Sequence, residues 1–235
     1  MEKSAIFLMA FLVSGLLVHN SIAEFSYEIA YATYIGGSGG EDLREVMPMP
    51  DGSVIVGGQT NSTDLPATAG SVQPNYEGDD PALGHPGIYG GDCYLVRLSQ
   101  DGKKFLAATY FGGSKQERSV YGMGLDSQGN VVISSTTRSP DIPTTTGCFQ
   151  PKYGGGDSDW FVAKLTNDFR KILWCTYVGG SKGESPRGGL ALDKNDNVYV
   201  VGGTGSNNFP TTPGAYQRNL RGTQDSVLIK LESDG

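Results

Sequence analysis

Hydrophobic residues along this chain occur in short runs that are separated by glycine, asparagine and aspartate. Runs such as NVYVV at Asn197 are rich in β-branched and aromatic residues, which favour strands, and they follow residues that suit tight hairpins. The weak alternation in WFVAKL at Trp160 is typical of a strand covered on both faces. No long helical periodicity follows the first residues. The pattern therefore predicts an all-β protein with almost no helix.

Four phrases return three times in the same order. Each copy opens on TYxGGS and continues with a hairpin-like segment, a loop with proline and glycine, and a run that starts with aspartate. The TYxGGS phrases begin at Thr33, Thr109 and Thr176, and the later runs begin at Asp92, Asp159 and Asp225. Matching positions lie 66 to 77 residues apart. A long repeat in fixed order is interpreted before any single motif, because it defines the architecture.

Each repeat contains enough strand signal for four strands. In the second repeat they are predicted at about residues 120–126, 130–137, 159–165 and 171–178, with the proline loop between the second and third. Four antiparallel strands joined in this way form one propeller blade, which must stack on neighbouring blades to bury both faces. We therefore predict about three four-stranded antiparallel blades, at about residues 36–111, 112–178 and 179–235.

The succession of TYxGGS, DxxGNVYV, FPTTPGAxQ and DxFVxKL resembles the SBBP (seven-bladed beta-propeller) repeat of exported bacterial proteins. The likeness covers nearly all of residues 33–235 and is nearest in the third repeat. The first repeat departs most, because DDPALGHPGIYGG is inserted at residues 79–91. The resemblance implies a propeller, and it carries no catalytic residues.

Three blades form an incomplete ring in a single chain, because propellers usually have four to eight. The third repeat lacks a counterpart of the fourth strand, whereas a matching strand is predicted ahead of the first blade, at residues 25–35. We expect either a homodimer in which two chains exchange these N-terminal strands and form a six-bladed ring, or a segment of a longer propeller. An exposed edge beside Val227 would otherwise invite pairing with another chain.

The first residues and the charge bear on location and partners. Residues 1–23 have the layout of a secretory signal, with Lys3, an apolar run and small residues at Ser21 and Ala23, although an uncleaved anchor is the alternative. No later stretch is apolar enough to insert in a membrane. We therefore expect residues 24–235 to be a repeat domain that is secreted or at the cell surface. The net charge of −7 and the absence of a basic cluster exclude sequence-independent nucleic-acid binding.

The three cysteines, Cys93, Cys148 and Cys175, are too few and too irregular for a disulfide scaffold. One bridge with a spare thiol and three unpaired buried thiols are both compatible with their number. They do not occupy the same place in successive repeats, which argues against a repeated metal site.

The sequence offers few candidates for chemistry. His85 is the sole histidine of residues 24–235, so a site with several histidine ligands is excluded within one chain. It lies in the insertion, and loops that break a repeat often carry binding residues. The candidate ligand-binding residues are therefore Tyr76, His85 and Tyr89, with an exposed loop that binds nothing as the alternative.

Alternate oxygen-bearing residues in LDKNDNVYV resemble the opening of a calcium loop. They are Asp193, Asn195 and Asn197. This segment lacks the glycine and the closing glutamate of that motif, and it aligns with hairpin turns in the other repeats. We therefore expect a turn, and we expect no cofactor other than a weakly bound calcium ion. No catalytic residue is assigned.

These features predict an exported, non-enzymatic propeller module that contacts protein or carbohydrate at the cell surface. One alternative is a propeller hydrolase or lyase that uses Asp or Glu, which requires acidic side chains to converge at one end of the channel. The other alternative is a structural repeat segment of a larger surface protein.

Overall fold

The computed structural model describes residues 28–78 and 90–235. The signal segment, most of the insertion, His85 and Tyr89 lie outside the described residues. The chain divides into residues 1–30 and residues 31–235, and all strands belong to the second unit. No helix in the described part of the chain is long and apolar enough to cross a membrane.

Within the described residues, eleven strands form three antiparallel sheets, and each sheet corresponds to one repeat. Blade 1 contains β1 (Glu41–Pro48), β2 (Val54–Thr60), β3 (Asp92–Leu98) and β4 (Phe105–Phe111). Blade 2 contains β5 (Gly122–Leu125), β6 (Val131–Thr137), β7 (Asp159–Leu165) and β8 (Ile172–Val178). Blade 3 contains β9 (Glu184–Leu192), β10 (Val198–Thr204) and β11 (Asp225–Leu231). The predicted all-β fold with blade-like sheets is confirmed.

Alternate residues of each strand face the preceding and the following blade. The core between blades 1 and 2 includes Phe111 and Phe161, whose ring centroids lie 5.4 Å apart. The core between blades 2 and 3 includes Trp160 and Phe209, with centroids 6.0 Å apart. This burial on both faces explains why hydrophobic and polar residues alternate so weakly in strands such as β7, because neither face of the strand meets water.

A buried tyrosine fastens the fourth strand of a blade to that blade's proline loop. The Tyr110 hydroxyl accepts a hydrogen bond from the Leu65 amide at 2.9 Å and lies 3.1 Å from the Ser62 carbonyl, which it can donate to. Tyr177 repeats the arrangement with the Ile142 amide and the Ser139 carbonyl, both at 2.8 Å. Both tyrosines are 1% exposed. Buried hydroxyls of this kind need partners, and the loop backbone supplies them.

The glycine pair and serine after each tyrosine form a junction loop that leads to the next blade. We call residues 36–40, 112–116 and 179–183 the junction loops. The Ser114 amide donates to Asp141 Oδ1 of blade 2 at 2.9 Å, and the Ser181 amide donates to Asn208 Oδ1 of blade 3 at 2.9 Å. The recurrent phrase TYxGGS therefore closes one blade and attaches it to the next.

Blade 3 and the N-terminal segment depart from the four-strand pattern. Blade 3 has three strands among the described residues, and β11 lies at the edge of its sheet. Residues 28–40 contain no strand, so the described part of the N-terminal strand expected at residues 25–35 is not formed in this single chain. The physical reason is that a strand needs a paired neighbour, and this segment has none. Its exchange between chains stays a prediction.

Removing the hydroxyl of Tyr110 tests how the fourth strand is fastened. We expect Tyr110→Phe to lower the free energy of unfolding by about 1–3 kcal/mol, because it leaves the buried Leu65 amide without its acceptor. The measurement is chemical denaturation followed by circular dichroism. Tyr216→Phe is the matched control, because Tyr216 is fully exposed. Equal midpoints for both variants would contradict this role of the hydroxyl.

Candidate functional site

The structure places Tyr76 in the packing of blade 1. Its ring meets the Tyr110 ring edge to face, with centroids 6.1 Å apart. Tyr153 meets Tyr177 in the same way at 6.0 Å, so Tyr76 is a repeated packing residue and does not belong to the insertion alone. The assignment of Tyr76 to a repeat-specific element is corrected on this point. A ligand-binding role for Tyr76, His85 and Tyr89 stays a prediction.

The calcium candidates form a hairpin turn between β9 and β10. The Asp193 carboxylate accepts hydrogen bonds from the Asn195 amide at 2.9 Å, from the Asn197 amide at 3.0 Å and from Asn197 Nδ2 at 2.9 Å. These bonds lower the pKa of Asp193, with the Asn197 side chain as the largest cause. Asp126 closes the equivalent turn of blade 2 with the same kind of bonds. Calcium binding by Asp193, Asn195 and Asn197 therefore stays a prediction.

Two pairs of buried carboxyl groups lie where neighbouring blades meet. Asp92 of blade 1 faces Glu117 of the next junction, and Asp159 of blade 2 faces Glu184. Burial raises the pKa of Asp92 and of Asp159 to about 7, and it raises the pKa of Glu117 well above its usual range. Asp92 Oδ1 and Asp159 Oδ1 accept from no donor, so one proton per pair would satisfy the facing oxygens.

Each pair has a structural surrounding that leaves no room for substrate. Glu117 is 0% exposed and accepts hydrogen bonds from Thr137 Oγ1 and Ser139 Oγ, both at 2.6 Å. A side chain at Gly112 would clash with both Glu117 and Asp92, which explains the glycine. Within the described ranges, no group of three or more His, Cys, Asp or Glu side chains could hold a metal ion.

The cysteines of the described chain are unpaired. Cys93 and Cys175 are buried, and burial raises the pKa of both thiols. Cys148 is partly buried. Buried protonated thiols are poor nucleophiles, so these residues act here as small packing groups.

Blade 3 carries an open concavity beside the free edge of β11. We call it the acceptor groove. It has a volume of about 180 Å³ and its lining includes Ser206, Phe209, Gln217, Asp225 and Val227. The corresponding residues of blade 1 surround Tyr110 and β4. The groove therefore occupies the position that the fourth strand and its tyrosine fill in the other blades.

Gln217 is already held in the geometry that receives a fourth strand. In blade 1, Gln73 Nε2 donates to Asp92 Oδ2 at 2.7 Å, and Gln73 Oε1 accepts from the Gly112 amide at 2.7 Å. In blade 3, Gln217 Nε2 donates to Asp225 Oδ2 at 2.8 Å and to the Asn219 carbonyl at 3.0 Å. The side chain is thus fixed through its amide nitrogen, as Gln73 is in blade 1, and it lines the groove.

Sequence reasoning did not identify the acceptor groove or the role of its glutamine. The signal was present, because a glutamine ends each proline-loop phrase at Gln73, Gln150 and Gln217. Recurrence indicates a structural role. Which strand end a glutamine bonds to becomes evident only when the sheets are assembled, as the bond from the Gly112 amide to Gln73 shows.

The stacked sheets and the open edge define a propeller-type repeat protein. A family model for SBBP, described as a beta-propeller repeat, matches residues 173–210. The resemblance to that repeat family is confirmed for this segment, which runs from β8 to the start of the third proline loop. No curated protein matches the chain.

The pH dependence of stability tests the carboxyl pairs. The folded state retains the Asp92 proton up to about pH 7, whereas the ordinary pKa is 3.8. The stability that this proton contributes is therefore lost as pH rises through that interval. Asp92→Asn replaces the shared proton with an amide donor. We expect it to raise the free energy of unfolding by about 1–3 kcal/mol at pH 8, and to change it little at pH 5.

Denaturation at both pH values makes this comparison. Asp157→Asn is the control, because Asp157 is exposed and lies outside the pairs. An equal loss of stability at pH 5 and pH 8 in Asp92→Asn would show that the pair shares no proton.

Proposed function

We propose that the protein is an exported, non-enzymatic propeller module that makes protein contacts at the cell surface through the acceptor groove. The observation that carries this proposal is the free edge of β11 beside a preformed cavity with an oriented Gln217. An exposed strand edge of this kind binds an extended segment by adding it to the sheet. Backbone hydrogen bonds then supply affinity, and the cavity supplies selectivity.

The groove selects for a tyrosine in the added strand. Tyr110 fills the equivalent volume of blade 1 and bonds to the backbone of Leu65 and Ser62. Phe209 and Ser206 occupy these two places in blade 3 and line the groove. A phenol ring would pack there and find the same backbone partners, because the loop of blade 3 repeats that of blade 1.

The groove also selects for a small residue two positions after that tyrosine. A side chain at Gly112 or Gly179 would meet the carboxyl group of Asp92 or Asp159. Asp225 holds this position in blade 3. The favoured ligand is therefore an extended segment of the form Thr-Tyr-x-Gly, which is a protein ligand. A carbohydrate partner, also expected from the sequence, has no comparable support from the groove.

Export is supported by the signal-like residues 1–23. The hydrolase or lyase alternative would need accessible carboxyl groups, whereas Asp92, Asp159 and Glu117 are fully buried. The alternative of a structural segment in a larger surface protein draws on the same open edge. In that alternative, a further blade of the same larger protein pairs with β11, and no separate ligand binds there.

Peptide binding tests the groove. The probe is a fluorescein-labelled peptide with the sequence of residues 105–114, FLAATYFGGS, measured by fluorescence anisotropy. The protein used is Tyr34→Ala, so that the chain's own TYIGGS motif does not compete. We expect saturable binding, weakened at least about tenfold when alanine replaces the peptide tyrosine.

Two protein variants locate the binding. Gln217→Ala should weaken it, because the glutamine no longer receives the peptide backbone. Gln128→Ala is the matched control on an exposed turn of blade 2 and should bind as before. Absence of saturable binding, or equal binding by the peptide without tyrosine, would overturn the proposed function.

A further inference from the structure

We propose that the acceptor groove is filled by residues 31–36 of a second copy of this chain, so that two copies of the three described blades close a six-bladed ring. This inference rests on the proposed function, because it names the protein that the groove receives. Three features support it: the exposed segment, the groove and the two open blade faces.

The N-terminal segment carries the groove's preferred sequence, but its tyrosine is not buried in its own chain. Tyr34 is 100% exposed, whereas its counterparts Tyr110 and Tyr177 are 1% exposed. Thr33 and Ala32 are also exposed. An exposed tyrosine in a motif that is buried twice elsewhere indicates a missing neighbour.

The loop that follows this segment already has the geometry found between blades. The Ser38 amide donates to Asp64 Oδ1 at 2.8 Å, as Ser114 and Ser181 do at the other junctions. Ile35 packs against the outer face of blade 1, as Phe111 packs against blade 2. The junction loop at residues 36–40 therefore leads into blade 1 from a blade that the described residues do not supply.

The register of the added strand follows from the other blades. In blade 1, Tyr94 pairs with Tyr110 and Val96 pairs with Ala108. The corresponding pairs between copies are Val227 with Tyr34 and Ile229 with Ala32. Thr212 occupies the place of Thr68, whose hydroxyl accepts from the Ala108 amide at 2.8 Å, and it would receive Ala32.

The two open blade faces complement each other. Val46 on the outer face of blade 1 is 61% exposed, and Leu228 on the outer face of blade 3 is 66% exposed. Val54 and Val56 continue the first face, and Val201 continues the second. Stacking one copy's blade 3 on the other copy's blade 1 would bury both faces at once.

A cation on the third strand repeats the same contact at each internal interface. Arg97 donates to Asn167 of blade 2 at 3.2 Å, and Lys164 donates to the Ser233 carbonyl of blade 3 at 2.8 Å. Lys230 holds this position on blade 3, and Gln100 holds the receiving position on blade 1. A second copy brings Gln100 to Lys230, which extends the pattern without a new kind of contact.

The buried carboxyl pairs also indicate that a second copy joins blade 3 to blade 1. Asp92 faces Glu117 and Asp159 faces Glu184. Asp225 and Glu41 hold the two corresponding positions, at opposite ends of the three blades. Two copies would unite each Asp225 with the other copy's Glu41.

A second copy fits better than closure within one chain. Closure within one chain would give a ring of three blades, whereas propellers have four to eight. Two copies give six blades, and a two-fold arrangement satisfies both open ends with one repeated interface. It also removes the free strand edge, which is a pairing hazard when left open.

The first test is the mass of the purified full chain by light scattering on a size-exclusion column. We expect a single species of twice 24.9 kDa for the unaltered chain. Tyr34→Ala should have the mass of one chain, because it removes both the aromatic ring that fills the groove and the two hydrogen bonds of the hydroxyl. Tyr34→Phe should dissociate at a concentration at least about tenfold higher than the unaltered chain, because it loses the hydroxyl bonds alone.

Folding does not confuse this test, because Tyr34 is fully exposed within one chain. Phe149→Ala is the matched control, since Phe149 is an exposed aromatic residue away from the groove, and it should keep the mass of two chains. Equal circular dichroism spectra for the variants would verify that only assembly has changed.

The second test identifies the occupant of the groove. A benzoylphenylalanine at position 34 is photolysed in a mixture of nitrogen-14 and nitrogen-15 chains. We expect cross-links to residues 206–217 that join light and heavy chains. Cross-links confined to one isotope would overturn the exchange between copies, as would a monomeric or polydisperse unaltered chain. Peptide binding by Tyr34→Ala would then still support the groove's protein-binding function, which separates the two failures.

Discussion

A buried tyrosine that ties the outer strand of a blade to its own proline loop is the interaction on which the other contacts depend. Tyr110 and Tyr177 each use one hydroxyl to satisfy a loop amide and a loop carbonyl. The glycines that follow let the chain pass beside a buried carboxyl group, and the next serine amide is held by the following blade. One short motif therefore completes a blade and sets the position of its neighbour. This double use explains why the phrase TYxGGS returns unchanged at its key positions.

The same junction explains where the buried carboxyl pairs of the chain lie. Asp92 and Glu117 come together because Glu117 directly follows the junction loop, which places it beside the start of β3. Burying two facing carboxyl groups is costly unless a proton is shared between them, and their raised pKa values reflect this requirement. Such pairs hold blades together and are closed to substrate. Among the described residues, the parts of the fold that lack a neighbour are the edge of β11 and the outer faces of blades 1 and 3, and the proposed recognition uses them.

Much of the fold could be predicted because its signals are local. In the second repeat, the strand expected at residues 159–165 is β7 (Asp159–Leu165), and the strand expected at 171–178 is β8 (Ile172–Val178). The shared role of Tyr76 and Tyr153 was hidden by the insertion that follows Tyr76. The carboxyl pairs and the role of Gln217 could not be predicted, because each depends on a contact between segments far apart in sequence. Such contacts follow from stacking, which no single repeat specifies.

The two ends of the three blades are unlike each other, and that difference decides what can complete them. Blade 1 is preceded by a junction loop and an outer-strand motif, whereas blade 3 has no outer strand among the described residues. Unlike but complementary ends join head to tail, which gives either a closed ring or a filament. The contacts of Arg97 and Lys164 repeat at both internal interfaces, so a joint between copies would repeat the same rotation. Because propellers close with four to eight blades, two such joints between copies of the three described blades would give a ring of the proposed kind.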